Sequence, residues 1–563
     1  GLYTIFDYLG LDYKLLSQAS EYTENDPILY YGEQLPLNFS EDSPIIHLKP
    51  FEDSNDNNIL RGKHERCQNP ILQMSFASTH SDIAFQPIRI EGKPFEFAGW
   101  IRGQILLVCI DFPRTVYHFL SLSHEDAQEN DEFGRPIGKK SFLHSKRVVR
   151  QPFIEELIIQ FWEIIYSFYS KIGIPLLRKE LWPNGYRFCV PVSHDIDLVK
   201  KYTFRGSIKE ILSIIKYFLK GSFPIAIDKM NHLVSSKFTK KEDPYWNFKK
   251  IIKLIEKYNF KSTFFFLVKR PHKIIGKNKI VGNYGEESKK INETIKDLSS
   301  ARFEIGLHGG FGTHDKTEEL SYEFEQLESV IGRQRIGIRQ HYLCYEKNIT
   351  PIAQKNSNID YDSTIGYRDI CGYRCGIGVP FSISKLHNDG HDDFLEIPLI
   401  IMDSAILIEK NGNERNCSEM VLKLIKKSKQ LNSCTTLLWH NTSFSNLEFP
   451  WMFKLLNRIF QYVKENDGWL TSISGLCCWW RLRRKIRISK ILNEKEFIFR
   501  IENAATKFKV NYQLFVPHKC DCHIRVMENN KPIHFQNKSN CKKIEKESGV
   551  FYSFSMVKNG EKI

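Results

Sequence analysis

No apolar run in this sequence approaches the roughly 18–20 residues that a membrane-spanning helix needs. The densest runs, 105–110 and 435–439, are strand-sized. The chain opens Gly-Leu-Tyr-Thr-Ile-Phe-Asp, with no basic segment followed by an apolar core. No export signal is therefore read here, a trimmed leader aside. Regular cysteine spacing is also lacking. The 13 cysteines are odd in number and scattered, which fits free thiols in a reducing, cytoplasmic setting better than a disulfide framework. Cys371-x3-Cys375 and Cys520-Asp-Cys522-His523 are close sets, and neither has the spacing of a zinc knuckle. No recognised nucleic-acid motif accompanies the formal net charge of +14. The lysines are interspersed with Glu and Asp, and clusters such as 481–485 are short. A nucleic-acid partner is not expected, whereas an anionic substrate is compatible with the charge.

What is present is a large globular chain of 563 residues, 42% of them hydrophobic, enough for roughly two to four domains. Residues 1–150 mix short apolar runs with polar loops and read as an α/β domain without motif-level chemistry. Within them, 53–58 is an Asp/Asn/Ser-rich loop, 97–111 reads as two strands with a turn at Arg102-Gly103, 115–123 as a short helix and 131–136 as a turn. Residues 151–184 form a helical connector, with apolar side chains at helical spacing over 152–169. Residues 485–563 alternate in short segments and predict a small antiparallel β module.

Between them, 185–480 repeats strand then helix. Strand-like runs fall at 188–193, 262–268, 303–307, 337–342, 359–365, 394–400 and 435–439, with helical stretches at 208–219, 244–258, 286–298, 318–330, 418–431 and 450–463. Such alternation predicts a parallel sheet covered by helices, and seven strands in series suggest a barrel. A barrel's chemistry sits at the carboxyl ends of its strands. Asp195 and Asp197 follow the first run, His308 follows the third and His440 ends the seventh; Arg339 and His341 lie on the fourth, Asp362 within the fifth, Glu396 on the sixth and Asp403 after it. On a strand, residues two apart share a face. Asp195 and Asp197 therefore point the same way, and two adjacent carboxylates are tolerable with a metal or a proton between them. His194 turns to the opposite face and reads as structural.

These residues carry a resemblance. Ser193-His-Asp-Ile-Asp197, Ser262-Thr-Phe-Phe-Phe-Leu267, Gly306-Leu-His-Gly309, Gly337-Ile-Arg339 and Leu438-Trp-His440 follow one another as in the NodB-type polysaccharide deacetylases, carbohydrate esterase family four. The chain resembles an uncharacterised bacterial branch with an extra N-terminal domain. The resemblance implies a distorted (β/α)7 barrel over 185–480 and a metal-dependent deacetylase that hydrolyses N- or O-acetyl groups of a sugar or polysaccharide precursor. It also implies a divalent transition metal; a mixed nitrogen and oxygen set suits zinc, and cobalt, nickel or manganese also fit. Asp197 would be the carboxylate ligand, Asp195 the base, Arg339 the group that holds Asp195, and His440 the general acid, with Asp362 or Asp403 orienting it. The roles of Asp195 and Asp197 can exchange. His341 and Glu396 would line the pocket.

One departure stands out. The family places a second histidine four residues after the first, but Gly312 occupies that position and the next histidine is His314. The ligand set implied is Asp197, His308 and His314. Otherwise Asp197 and His308 act with another group, or the site is degenerate. A hydrolase of a non-sugar C–N bond and an inactive carbohydrate-binding protein are the alternative functions.

Overall fold

The computed structural model describes residues 2–12, 14, 27–32, 43–48, 50, 86–90, 93–219, 221–238, 242–268, 284–332, 334–383, 394–445, 447, 450–493, 496–502, 508–529, 531–533, 541–546 and 549–555. The stretch at 53–58 lies outside them. The fold is mixed α/β, built round a curled, mostly parallel sheet.

The strand Phe188–Ile196 lies inside that sheet, flanked on both sides, and all nine of its residues are buried. A continuous apolar run suits a strand covered on both faces. Its first half pairs with Gly468–Thr471, up to Pro191, and from Val192 onward it pairs with Thr436–Leu438. Proline has no N–H to give a ladder; here it stands where the strand changes partner. On the other side the parallel order runs Thr263–Phe266, Glu304–Gly309, Ile338–Gln340, Tyr361–Asp362 and Leu395–Glu396. Thr436–Leu438 in turn pairs with Leu399–Met402. The two ends of this path, Leu395–Glu396 and Leu399–Met402, are separated by Ile397 and Pro398 alone. A flat sheet cannot meet its own far end within two residues, so this one curls round on itself.

Five strands before residue 110 form a second sheet, in the order Ile28–Tyr31, Ile45–Leu48, Ile105–Val108, Lys93–Arg102, Gln86–Ile90. Two further four-stranded sheets follow the central region. They are not wholly antiparallel, because Glu496–Glu502 pairs in parallel with His523–Glu528. One of their strands also comes from far upstream: Leu176–Lys179 pairs with Asn511–Pro517. The stretch 151–184 is thus helical only over Phe153–Ile172, which ends at Gly173 with φ +73°, a left-handed cap that glycine adopts without strain. That helix packs on both flanks. Phe161 meets Phe112 at 4.8 Å between ring centres, and Tyr166 meets Phe515 at 5.8 Å.

Candidate metal centre

The carboxyl ends of five parallel strands converge on one cavity of about 410 Å³. Phe188–Ile196 brings Asp195 and, one residue past its end, Asp197. Glu304–Gly309 brings His308; Ile338–Gln340 brings Arg339, and His341 opens the turn after it. Asp403 follows Leu399–Met402, and His440 lies two residues beyond Thr436–Leu438.

The groups divide by their partners. Arg339 is fully buried and gives Nη1 to Asp195 Oδ1 at 3.0 Å and to the Ser193 hydroxyl at 2.6 Å. Its Nε donates to the Ser363 carbonyl and its Nη2 to the Ser363 hydroxyl, both at 2.8 Å. A guanidinium engaged on three sides fixes the carboxylate it holds. Opposite, His440 Nδ1 lies 2.6 Å from Asp403 Oδ1, and its backbone N–H donates to Asp403 Oδ2 at 2.8 Å. Burial alone would lower the basicity of His440. The buried Asp403 outweighs it and pushes the ring up to about 10. With Nδ1 committed to Asp403, Nε2 is the nitrogen that faces Asp197, at 3.6 Å.

Between these pairs, His308 Nε2 lies 3.0 Å from Asp197 Oδ1 and 3.9 Å from Asp195 Oδ2. The other nitrogen of His308, Nδ1, is 2.8 Å from the Arg339 carbonyl, which can only accept. The Nδ1–H tautomer follows, leaving Nε2 directed at the carboxylates. His341 Nε2 is 3.9 Å from Asp197 Oδ2. Burial would raise the Asp197 carboxyl, but the adjoining His308 ring, with His440 and His341, holds it well below the usual carboxylate range. Burial pushes His341 down to about 4, so its ring is neutral at ordinary pH.

Asp197, His308 and His341 can each offer one ligand atom, all within 4.8 Å of one another. Asp197 Oδ1 is buried and, despite its closeness to His308, lacks a correctly directed hydrogen bond. One carboxylate, two imidazoles and a carbonyl that orients one ring make a donor set that fits a divalent transition metal.

No protein-family model and no curated protein matches this chain. Among solved structures it is similar to a protein of Mycobacterium smegmatis assigned as a polysaccharide deacetylase, at 16% identity and a TM-score of 0.35, over 56% of this chain and 96% of that one. It is also similar to a mutant of BA3943, a CE4 family pseudoenzyme with restored enzymatic activity, at 12% identity and a TM-score of 0.28, over 53% and 70% of the two chains. A second mutant of that pseudoenzyme gives 11% identity and a TM-score of 0.27, over 53% and 69%. Scores this low carry no argument about what the chain does.

Three residues of the sequence reading lie elsewhere. His314 falls into a separate group with Asp315 and Glu346, its Nε2 3.5 Å from Glu346. Gly312, at φ +77°, turns the loop, and the buried Glu323 accepts the Gly310 N–H at 3.1 Å, tying the loop to the helix Thr317–Ile331. His341, rather than His314, lies within ligand distance of Asp197 and His308. Asp362 and Glu396 are ladder partners, both fully buried and absent from the cavity wall. Burial pushes Asp362 up to about 6 and Glu396 well above its usual value. Glu396 keeping its proton beside Asp362 suits a buried pair, and the group that orients His440 is Asp403. His194 is buried, with Nδ1 2.9 Å from the Trp439 carbonyl.

The first 150 residues, silent in sequence, supply Arg135 to the cavity wall. Arg135 pairs with Asp131 at 2.6 Å and donates Nη1 to the Tyr342 carbonyl at 2.7 Å. Tyr342 and Leu343 have φ of +65° and +57°, rare for residues with a side chain, and this turn carries His341. Tyr245 and Arg368 also line the cavity. No sequence motif marks these three; only the Asp131–Pro136 turn signal fell near one of them.

Proposed function

We propose that this chain is a metal-dependent deacetylase acting on an acetylated sugar or polysaccharide precursor, with residues 185–480 as a NodB-like barrel between an N-terminal α/β domain and a C-terminal β module. The observation that carries this reading is the placement of two differently held acid–base pairs, Asp195 with Arg339 and His440 with Asp403, on either side of the Asp197, His308 and His341 group.

Asp197, His308 and His341 would hold a zinc, cobalt, nickel or manganese ion. Bound there, the ion supplies Lewis acidity to the acetyl carbonyl and to the attacking water. Arg339 occupies Asp195 Oδ1 and leaves Oδ2, on the His308 side, to take the proton of that water. His440 carries its proton on Nε2 and delivers it to the departing nitrogen or oxygen of the sugar. Asp403 is a positioning residue: it fixes the His440 tautomer and balances its charge. Leu343, Met402 and Leu407 wall the cavity with apolar surface, which limits competing water.

The test is acetate release from N- and O-acetylated oligosaccharides by protein loaded with each of the four metals. Acetate from the wild type and none from Asp195→Asn is the expected result. Protein that binds one equivalent of metal but releases no acetate from either class overturns the reading.

A further inference from the structure

Between Leu198 and Tyr245, which both line the cavity, the chain leaves the central sheet as a hairpin of two 16-residue helices, Phe204–Leu219 and Phe223–Phe238. This hairpin is built inside out. Glu210 is buried between Lys201 and Lys229, at 3.6 and 3.2 Å, and Ser207 is buried beside them. Ala226 and Leu233 are buried with them, but most of the larger apolar residues face water. On the first helix Ile208, Ile211, Leu212, Ile215, Phe218 and Leu219 recur every three or four residues, and Leu212 and Leu219 are 61% and 82% exposed. On the second, Phe223, Ile227, Met230 and Val234 repeat the pattern, each about half exposed. Monomeric proteins seldom leave so continuous a stripe in water.

The charge on the same segment says what covers it. Residues 204–241 contain eight basic and two acidic residues. Glu210 and Lys229 are engaged with each other inside the hairpin, which leaves seven basic residues against one acidic. Lys209 and Lys216 are exposed on the first helix between the apolar positions. No helix among the described residues is long and apolar enough to cross a membrane. Apolar stripes flanked by lysine on helices that do not span are the features of an element lying in the surface of an anionic bilayer.

We propose that this hairpin docks the protein on anionic membrane surfaces. Its base is clasped at the cavity rim. Asn441 Nδ2 donates to the carbonyls of Leu198 at 2.7 Å and Tyr245 at 2.8 Å, and Asp243 accepts the N–H groups of Lys201 and Tyr202. The segment that docks is thus rooted at residues that line the cavity, whatever reaction the cavity performs.

The experiment is flotation of the full chain with vesicles of phosphatidylcholine containing phosphatidylglycerol, against pure phosphatidylcholine, at low and high salt. Capture by the anionic vesicles is expected, at least tenfold weaker on the neutral ones and reduced by salt. The L212E/L219E double variant should lose capture, and K209E/K216E should lose most of it, both with unchanged thermal melts. A Phe218→Trp variant should shift its fluorescence to the blue on anionic vesicles alone, a readout that does not rely on the folding of the other two. Absence of capture, or capture undiminished in L212E/L219E, overturns the proposal. So does a dimer that L212E/L219E disperses without any vesicle binding, which would assign the face to a second copy.

Discussion

Replacing His341 by alanine should weaken metal binding, while the same change at His314 should leave it intact. His341 is mostly enclosed, its ring centre 4.8 Å from that of His308 and its Nε2 3.9 Å from Asp197. A four-ligand zinc site in a small protein binds with about 10–16 kcal/mol, so one imidazole accounts for about 3 kcal/mol, roughly a hundredfold in affinity. His314 sits in another group, against Glu346, and its loss should change affinity by less than about twofold, on the order of 0.4 kcal/mol. Competition for zinc against a chromophoric chelator, on stripped protein, reads this directly and needs no substrate. Asp197→Ala and His308→Ala belong in the same series and should fall with His341→Ala. The reasoning is refuted if His314→Ala loses zinc as Asp197→Ala does while His341→Ala keeps wild-type affinity.

Asp195→Asn should keep zinc affinity near that of the wild type but lower kcat by about 10²–10⁴, since the base and not a ligand is removed; acetate release and chelator competition on one sample check both. Arg135→Ala strips the Tyr342 carbonyl and Asp131 of their partner, and should cost roughly 2–3 kcal/mol in a urea melt. Glu155 is fully buried, accepting the Gly378 N–H at 2.7 Å, and burial pushes its carboxyl from 4.5 to about 7. Between those values the folded chain keeps a proton that the unfolded chain has released, so stability falls as pH rises through the window and is unaffected below it. The loss should reach roughly 3 kcal/mol by pH 8. Urea melts at pH 4.5 and pH 8 should show Glu155→Gln gaining that amount on the wild type at the higher pH alone.

Parts of the site were legible because strand geometry leaves a period of two. Asp195 and Asp197 share a face and both reach the cavity; His341, which opens the turn just past the strand of Arg339, reaches it as well. Asp362 could be excluded from the cavity only with the ladder in hand, which pairs it with Glu396, away from the cavity lining. Loops follow no such period. The path from His308 to His314 depends on Gly312 and on the anchoring of Gly310 by Glu323, a contact thirteen positions away that no local pattern announces. Arg135 was hidden for a related reason: its role comes from the turn at Tyr342, 207 positions on. The hairpin misled in another way. Its stripe at 208, 211, 212 and 215 predicts a helix, and the helix is there, but periodicity cannot tell a face turned to the core from one turned outward.

The strand Leu176–Lys179 has a consequence for how the protein is made. Arg178 and Gln513, ladder partners joined by a side-chain hydrogen bond, stand 335 positions apart. At about 5–20 residues per second, a ribosome needs roughly 20–70 s to make the second after the first. Throughout that interval the upstream strand has emerged without the edge it joins, and an unpaired strand edge is a template for wrong partners. The central sheet, lying between them in the chain, can form first; this closing pair cannot. Closure of this sheet therefore comes after synthesis of the central region. A chain cut short before Asn511 would leave the ribosome with its central sheet complete and a sticky edge exposed, a natural client for chaperones.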